Sequence, residues 1–103
     1  MRMQATVVVL MVLGGCSRPV EGEPAEARGR QVYLANCTSC HHADPAQDGA
    51  LGPRVKGASR ALLERKLLHG DYPPGHTPVR DTRLMPPMPQ MSAELDALAA
   101  FLR

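Results

Sequence analysis

Residues 36–42 read Asn-Cys-Thr-Ser-Cys-His-His, and no other stretch restricts the fold of this chain as much. Two cysteines separated by two residues, with histidine directly after, must converge on something. The choices are a structural zinc ion, a redox-active dithiol or a covalently attached haem. A structural zinc site needs four nitrogen or sulfur ligands, commonly drawn from two separated pairs. Cys37, Cys40, His41 and His42 lie too close together to supply all four, and His69 and His76 complete no zinc-finger spacing. A thioredoxin-like dithiol needs a strand before the motif in a βαβ setting. This chain has no strand pattern anywhere.

The rest of the composition says that the core needs help. The 103 residues include one Phe, two Tyr and no Trp. A domain this small buries a modest fraction of its surface and leans on disulfides, a metal or a partner. A Cys37–Cys40 disulfide would close too short a loop to constrain the unfolded chain much. A large, rigid, apolar cofactor would fill the gap.

The N-terminus reads as an export signal. "MRMQATVVVLMVLGGC" has one Arg at position 2, an apolar run over residues 6–13 and small residues before Cys16. The run is too short to span a bilayer, which takes roughly 20 residues. Leu13-Gly14-Gly15-Cys16 resembles the lipobox of bacterial lipoproteins, in which the Cys sulfur receives a diacylglycerol and the chain is cut just before it. The expected organisation is a signal peptide over residues 1–15, a Pro- and Gly-rich tether over 16–24 and a folded domain over 25–103. The protein is then exported and lipid-anchored, facing the periplasm or the cell exterior. Without Arg2 the chain carries 11 basic and 10 acidic side chains. That near-neutral balance lacks the basic footprint of a nucleic-acid binder.

Within the domain the pattern is all-α, with three main helices and long loops. "AEARGRQVYLAN" is helical, with Pro24 at a tolerated start, and runs into Cys37. "SRALLERKLLHG" is a second helix, with Ser59 as N-cap, Gly70 as C-cap, and Leu63 and Leu67 on one face. Residues 71–91 hold six prolines and can be neither helix nor central strand. "SAELDALAAFLR" closes the chain, with Ser92 as its expected cap, Met91 as a staple before it, and Leu95, Leu98 and Leu102 as its apolar stripe. Loops this long normally argue against an assignment unless they serve a site. Here they flank the cysteine motif and the methionine-rich "MPPMPQM".

Cys-x-x-Cys-His is the attachment pattern of c-type haem. Two thiols add across the two vinyl groups of the porphyrin, one helical turn spans both, and His41 is then held beneath the ring to ligate iron. With this motif in place, residues 25–103 resemble a class I (monohaem) cytochrome c. "ARGRQVYLANCTSCHH" looks like that family's first helix and haem motif, with Gly29 and Tyr33 where the last helix packs. "LGPRVKG" is similar to its Gly-Pro-x-Leu-x-Gly loop, although Val55 replaces the usual Leu. "LMPPMPQMSAELDALAAFL" resembles its distal-ligand loop and closing helix. The resemblance implies one covalent haem c on Cys37 and Cys40, with His41 and a Met thioether as axial ligands. It also implies that the Pro53 carbonyl accepts a hydrogen bond from the His41 ring nitrogen facing away from iron. The family's ligand precedes proline, which favours Met85 and leaves Met88 as the alternative, since both do so here.

What the resemblance implies in function is electron transfer by a membrane-tethered protein cycling between ferric and ferrous iron. It would be no enzyme, would take no small-molecule substrate and would have redox proteins as donor and acceptor. The alternatives are an electron-entry subunit of a larger respiratory oxidase, reductase or dehydrogenase complex and, behind it, a haem-based gas or redox sensor. His42, His69 and His76 are expected at the surface. Arg54, Lys56, Arg60, Arg65 and Lys66 read as a solvated basic face that could steer an acidic partner.

Overall fold

The computed structural model describes residues 24–103, which contain helices and no strand. The expected signal peptide over 1–15, the expected lipid site Cys16 and all but the last residue of the expected tether over 16–24 lie outside the described residues. Helix α1 spans Ala25–Asn36, α2 spans Arg60–Glu64 and α3 spans Leu95–Leu102. None of the described helices is long and apolar enough to cross a membrane.

Helix α1 begins after Pro24, whose missing N–H costs nothing at a helix start, and reaches Cys37, whose N–H bonds to the Tyr33 carbonyl at 2.9 Å. It buries Gly29, Val32 and Tyr33. Against that face lies α3, the main helix–helix contact of the fold. A Cβ at Gly29 would stand 1.9 Å from the Ala97 carbonyl oxygen, so the two backbones meet where only hydrogen fits. One turn on, the rings of Tyr33 and Phe101 stand 5.5 Å apart and tilted by 50°. Arg28 closes the crossing with a two-pronged bond to Glu94, at 2.6 and 3.2 Å.

Ser59 caps α2, its Oγ accepting from Leu62 N–H at 3.1 Å. The α geometry gives way after Glu64 to a wider π turn over Arg65–His69, which Gly70 ends at φ +72°. The sequence pattern, by contrast, reads as one even helix. Ser92 is a second departure, because it caps nothing. A 3-10 turn over Pro89–Glu94 takes in Met91 and Ser92, and α3 proper begins at Leu95. The cause is Pro89, which sits at the first position of that turn, while Met91 N–H bonds to the Met88 carbonyl at 2.9 Å.

The buried core is small: Val32, Tyr33, Leu67, Leu95, Leu98 and Leu102. The stripe expected on α3 supplies three of the six. Around it pack half-buried Leu34, Cys37, Val55, Ala58, Leu63, Leu68, Met85, Met88, Met91 and Phe101.

Candidate haem-attachment site

The motif takes up one turn of helix at the end of α1. His41 N–H bonds to the Cys37 carbonyl at 2.9 Å and Cys40 N–H to the same oxygen at 3.3 Å. Both thiols are free; Cys37 is half-buried against the core and Cys40 is exposed. Burial pushes the Cys37 thiol above its ordinary pKa, because the thiolate is poorly solvated there.

Two loop segments hold His41. The Pro53 carbonyl lies 2.8 Å from Nδ1. A carbonyl only accepts, so Nδ1 carries a proton, which in the neutral ring leaves the lone pair on Nε2. No hydrogen bond to Nε2 appears among the described residues. Gly52 lies flat against the imidazole, and a Cβ there would stand 2.5 Å from Cε1 and Nδ1. The turn is tied to the motif by Gly52 N–H, which donates to the Cys40 carbonyl at 2.9 Å. Tyr33, from the core side, donates its hydroxyl to the His42 carbonyl at 2.6 Å. Burial is the main reason that its pKa is pushed up to about 12.

Gly52 and Tyr33 thus contribute to the site in ways the sequence reading left unassigned. For Gly52 the signal was the Gly-Pro pair itself, which places the smallest residue beside the carbonyl that binds His41. The Tyr33 hydroxyl gave none, because an in-register tyrosine on a helix face reads as core.

Met85 and Met88 are both half-buried against the same core as Cys37, as is Met91. Met88 is tied by its backbone, donating to the Leu67 carbonyl at 2.6 Å and accepting from Met91. Met85 lies in the extended segment before it and lines an open pocket with Lys66, Tyr72, Pro78 and Arg83. His42 is exposed, with Nδ1 accepting from Asp44 N–H at 2.9 Å. His69 is exposed at the end of the π turn, and His76 stacks on Tyr72 at 5.2 Å.

The basic residues do not form a free positive face. Arg54 pairs with Asp48, Arg60 with Asp96 and Glu64, and Arg65 with Asp71. Lys56 donates to the Arg103 carbonyl, and Lys66 sits 4.4 Å over the Tyr72 ring. Three of the five charges are thus matched by neighbouring acids.

This donor set suits a haem. Two free thiols sit on one turn beside an imidazole of fixed tautomer, and thioethers line the same core. Among the described residues no polar or charged side chain is buried that would oppose an apolar macrocycle.

The comparisons with known proteins agree. The family model for cytochrome c matches residues 26–103. A curated protein of Synechocystis sp. named cytochrome c-553-like is 32% identical over 75 residues, 73% of this chain. The match spans 61% of that relative's length. No solved structure matches significantly. Fold, motif and family model together make this chain a member of the cytochrome c family.

Proposed function

We propose that this protein transfers electrons as a membrane-tethered, monohaem c-type cytochrome and transforms no small-molecule substrate. The observation that carries the reading is the 2.8 Å contact between His41 Nδ1 and the Pro53 carbonyl, one residue after two free thiols. That contact turns a flexible imidazole into a fixed donor with Nε2 presented, and it raises the basicity of the ring. Cys37 and Cys40 form the thioether links. His41 and Met85 would hold the iron, and Met88 stands second because its backbone is committed on both sides. Haem held there would supply a one-electron ferric–ferrous couple. The Met85 thioether would favour the reduced ion and so raise the potential. Leu34, Val55, Leu63 and Leu68 keep the core dry. Lipid on Cys16 holds the domain at the membrane outside the cytoplasm, within reach of its protein donor and acceptor.

The test uses the intact chain from solubilised membranes. Denatured protein should retain haem peroxidase stain on a gel, and the ferric form should show the weak near-red charge-transfer band of a methionine ligand. Acid–acetone extraction that strips the haem rejects the covalent reading. Cys16→Ser should yield soluble or uncleaved protein; properly cleaved Cys16→Ser protein that stays in the membrane rejects the lipid anchor.

A further inference from the structure

The π turn in the second helix has a use that no sequence motif announces. A helix end leaves its last carbonyls without intrahelical partners. Here the wide turn sends Asp71 N–H to the Arg65 carbonyl at 3.3 Å, and Gly70 N–H to Lys66 at 3.1 Å. The carbonyl of Leu67, in the same turn, accepts instead from Met88 N–H at 2.6 Å. Beside that bond, Pro87 packs on Gly70: a Cβ at Gly70 would stand 3.0 Å from Pro87 Cγ. Gly70 holds a left-handed φ of +72°, so the position favours glycine twice, for conformation and for the proline ring.

We infer that the π turn, through the Leu67 carbonyl and the bare Cα of Gly70, clamps Pro87 and Met88 and thereby positions Met85 as the distal ligand. The inference rests on the proposed ligation by Met85. The rigid residues 86 and 87 are both proline, so fixing the loop at 87–88 leaves Met85 a narrow range of positions. Leu67 itself is a core residue, 4% exposed, which ties the clamp to the α1–α3 packing. Gly70 and Pro87 are positioning residues: neither needs to touch iron.

Gly70→Ala separates this role from general strain when set against Gly75→Ala. Gly75 has a similar φ of +77° but nothing within 4 Å of its Cβ position. In ferric holoprotein, imidazole should displace the sulfur ligand about tenfold more readily in Gly70→Ala than in Gly75→Ala, the factor that 1.4 kcal/mol carries. The near-red band should weaken in step. Equal imidazole affinities in the two glycine variants overturn the clamp. If Gly70→Ala does not accumulate as holoprotein, Pro87→Ala alone decides: unchanged imidazole affinity overturns it. Native-state hydrogen exchange provides an independent readout, with Met88 N–H expected among the protected amides. Exchange at the rate of an exposed loop amide also overturns the clamp. Failure of the ligand reading looks different, because Met85→Ala would then keep the near-red band while Met88→Ala lost it.

Discussion

At Gly52 one methyl group is enough to probe the site. A Cβ there meets the His41 ring at 2.5 Å, so Gly52→Ala must turn the imidazole away from the Pro53 carbonyl. The expected result is a lower reduction potential and a lower yield of holoprotein, read by redox titration and haem stain. Met85→Ala should abolish the near-red band, lower the potential and open ferrous iron to carbon monoxide. Met88→Ala should leave these nearly unchanged and cost on the order of 2 kcal/mol through lost packing. Tyr33→Phe removes the donor to the His42 carbonyl and should cost about 1 kcal/mol at neutral pH. It also changes the alkaline limb. The folded phenol titrates near 12 and the unfolded one near 10.0, so stability falls as pH rises between those values. That slope should vanish in Tyr33→Phe, as measured by denaturant titration across the range. Of these residues, the cysteines, His41 and Pro53 stand out in the sequence, while Met85 and Met88 are offered there side by side, each before a proline. For Gly52 the Gly-Pro pair was the one hint, and the Tyr33 hydroxyl gave none, since their parts are set by which atoms the fold brings against them.

The elements were legible where local rules act alone. Pro24 and Ser59 start their helices, and Gly70 ends the π turn, as expected from local backbone chemistry. Ser92 fails as a cap because Pro89 nucleates a 3-10 turn first, and the π turn escapes the pattern because its partner, Met88, lies far along the chain. The α1–α3 crossing carries the sharpest prediction at this scale. Gly29→Ala puts a Cβ 1.9 Å from the Ala97 oxygen, and forcing the helices apart should cost about 3 kcal/mol, visible in thermal unfolding. The Arg28–Glu94 bond beside it is half in solvent and contributes under about 1 kcal/mol. Arg28 holds the Glu94 carboxyl below its ordinary pKa. The contribution is therefore complete above the ordinary glutamate value and disappears as pH falls through the depressed one. Glu94→Gln should flatten that part of the acid limb.

For the molecule as a whole, all-α architecture followed from the absence of strand pattern and the spacing of leucines, and the thin core followed from the shortage of aromatics. Among the described residues six apolar side chains are buried, a core thin enough to lean on whatever residues 37–41 hold. Cys37→Ala combined with Cys40→Ala should therefore give a chain largely unfolded by circular dichroism and quickly cut by protease. The pairing of α1 with α3 adds a consequence in time. These helices bracket residues 37–94, so their contact closes nearly the entire domain in one loop, and the entropy of that closure must be met before Gly29 and Ala97 touch. A chain delivered N-terminus first carries the cysteine motif out well ahead of α3. During that interval Cys37, half-buried against the core of the finished fold, is still open to solvent, whereas Cys40 stays exposed even after α3 has docked.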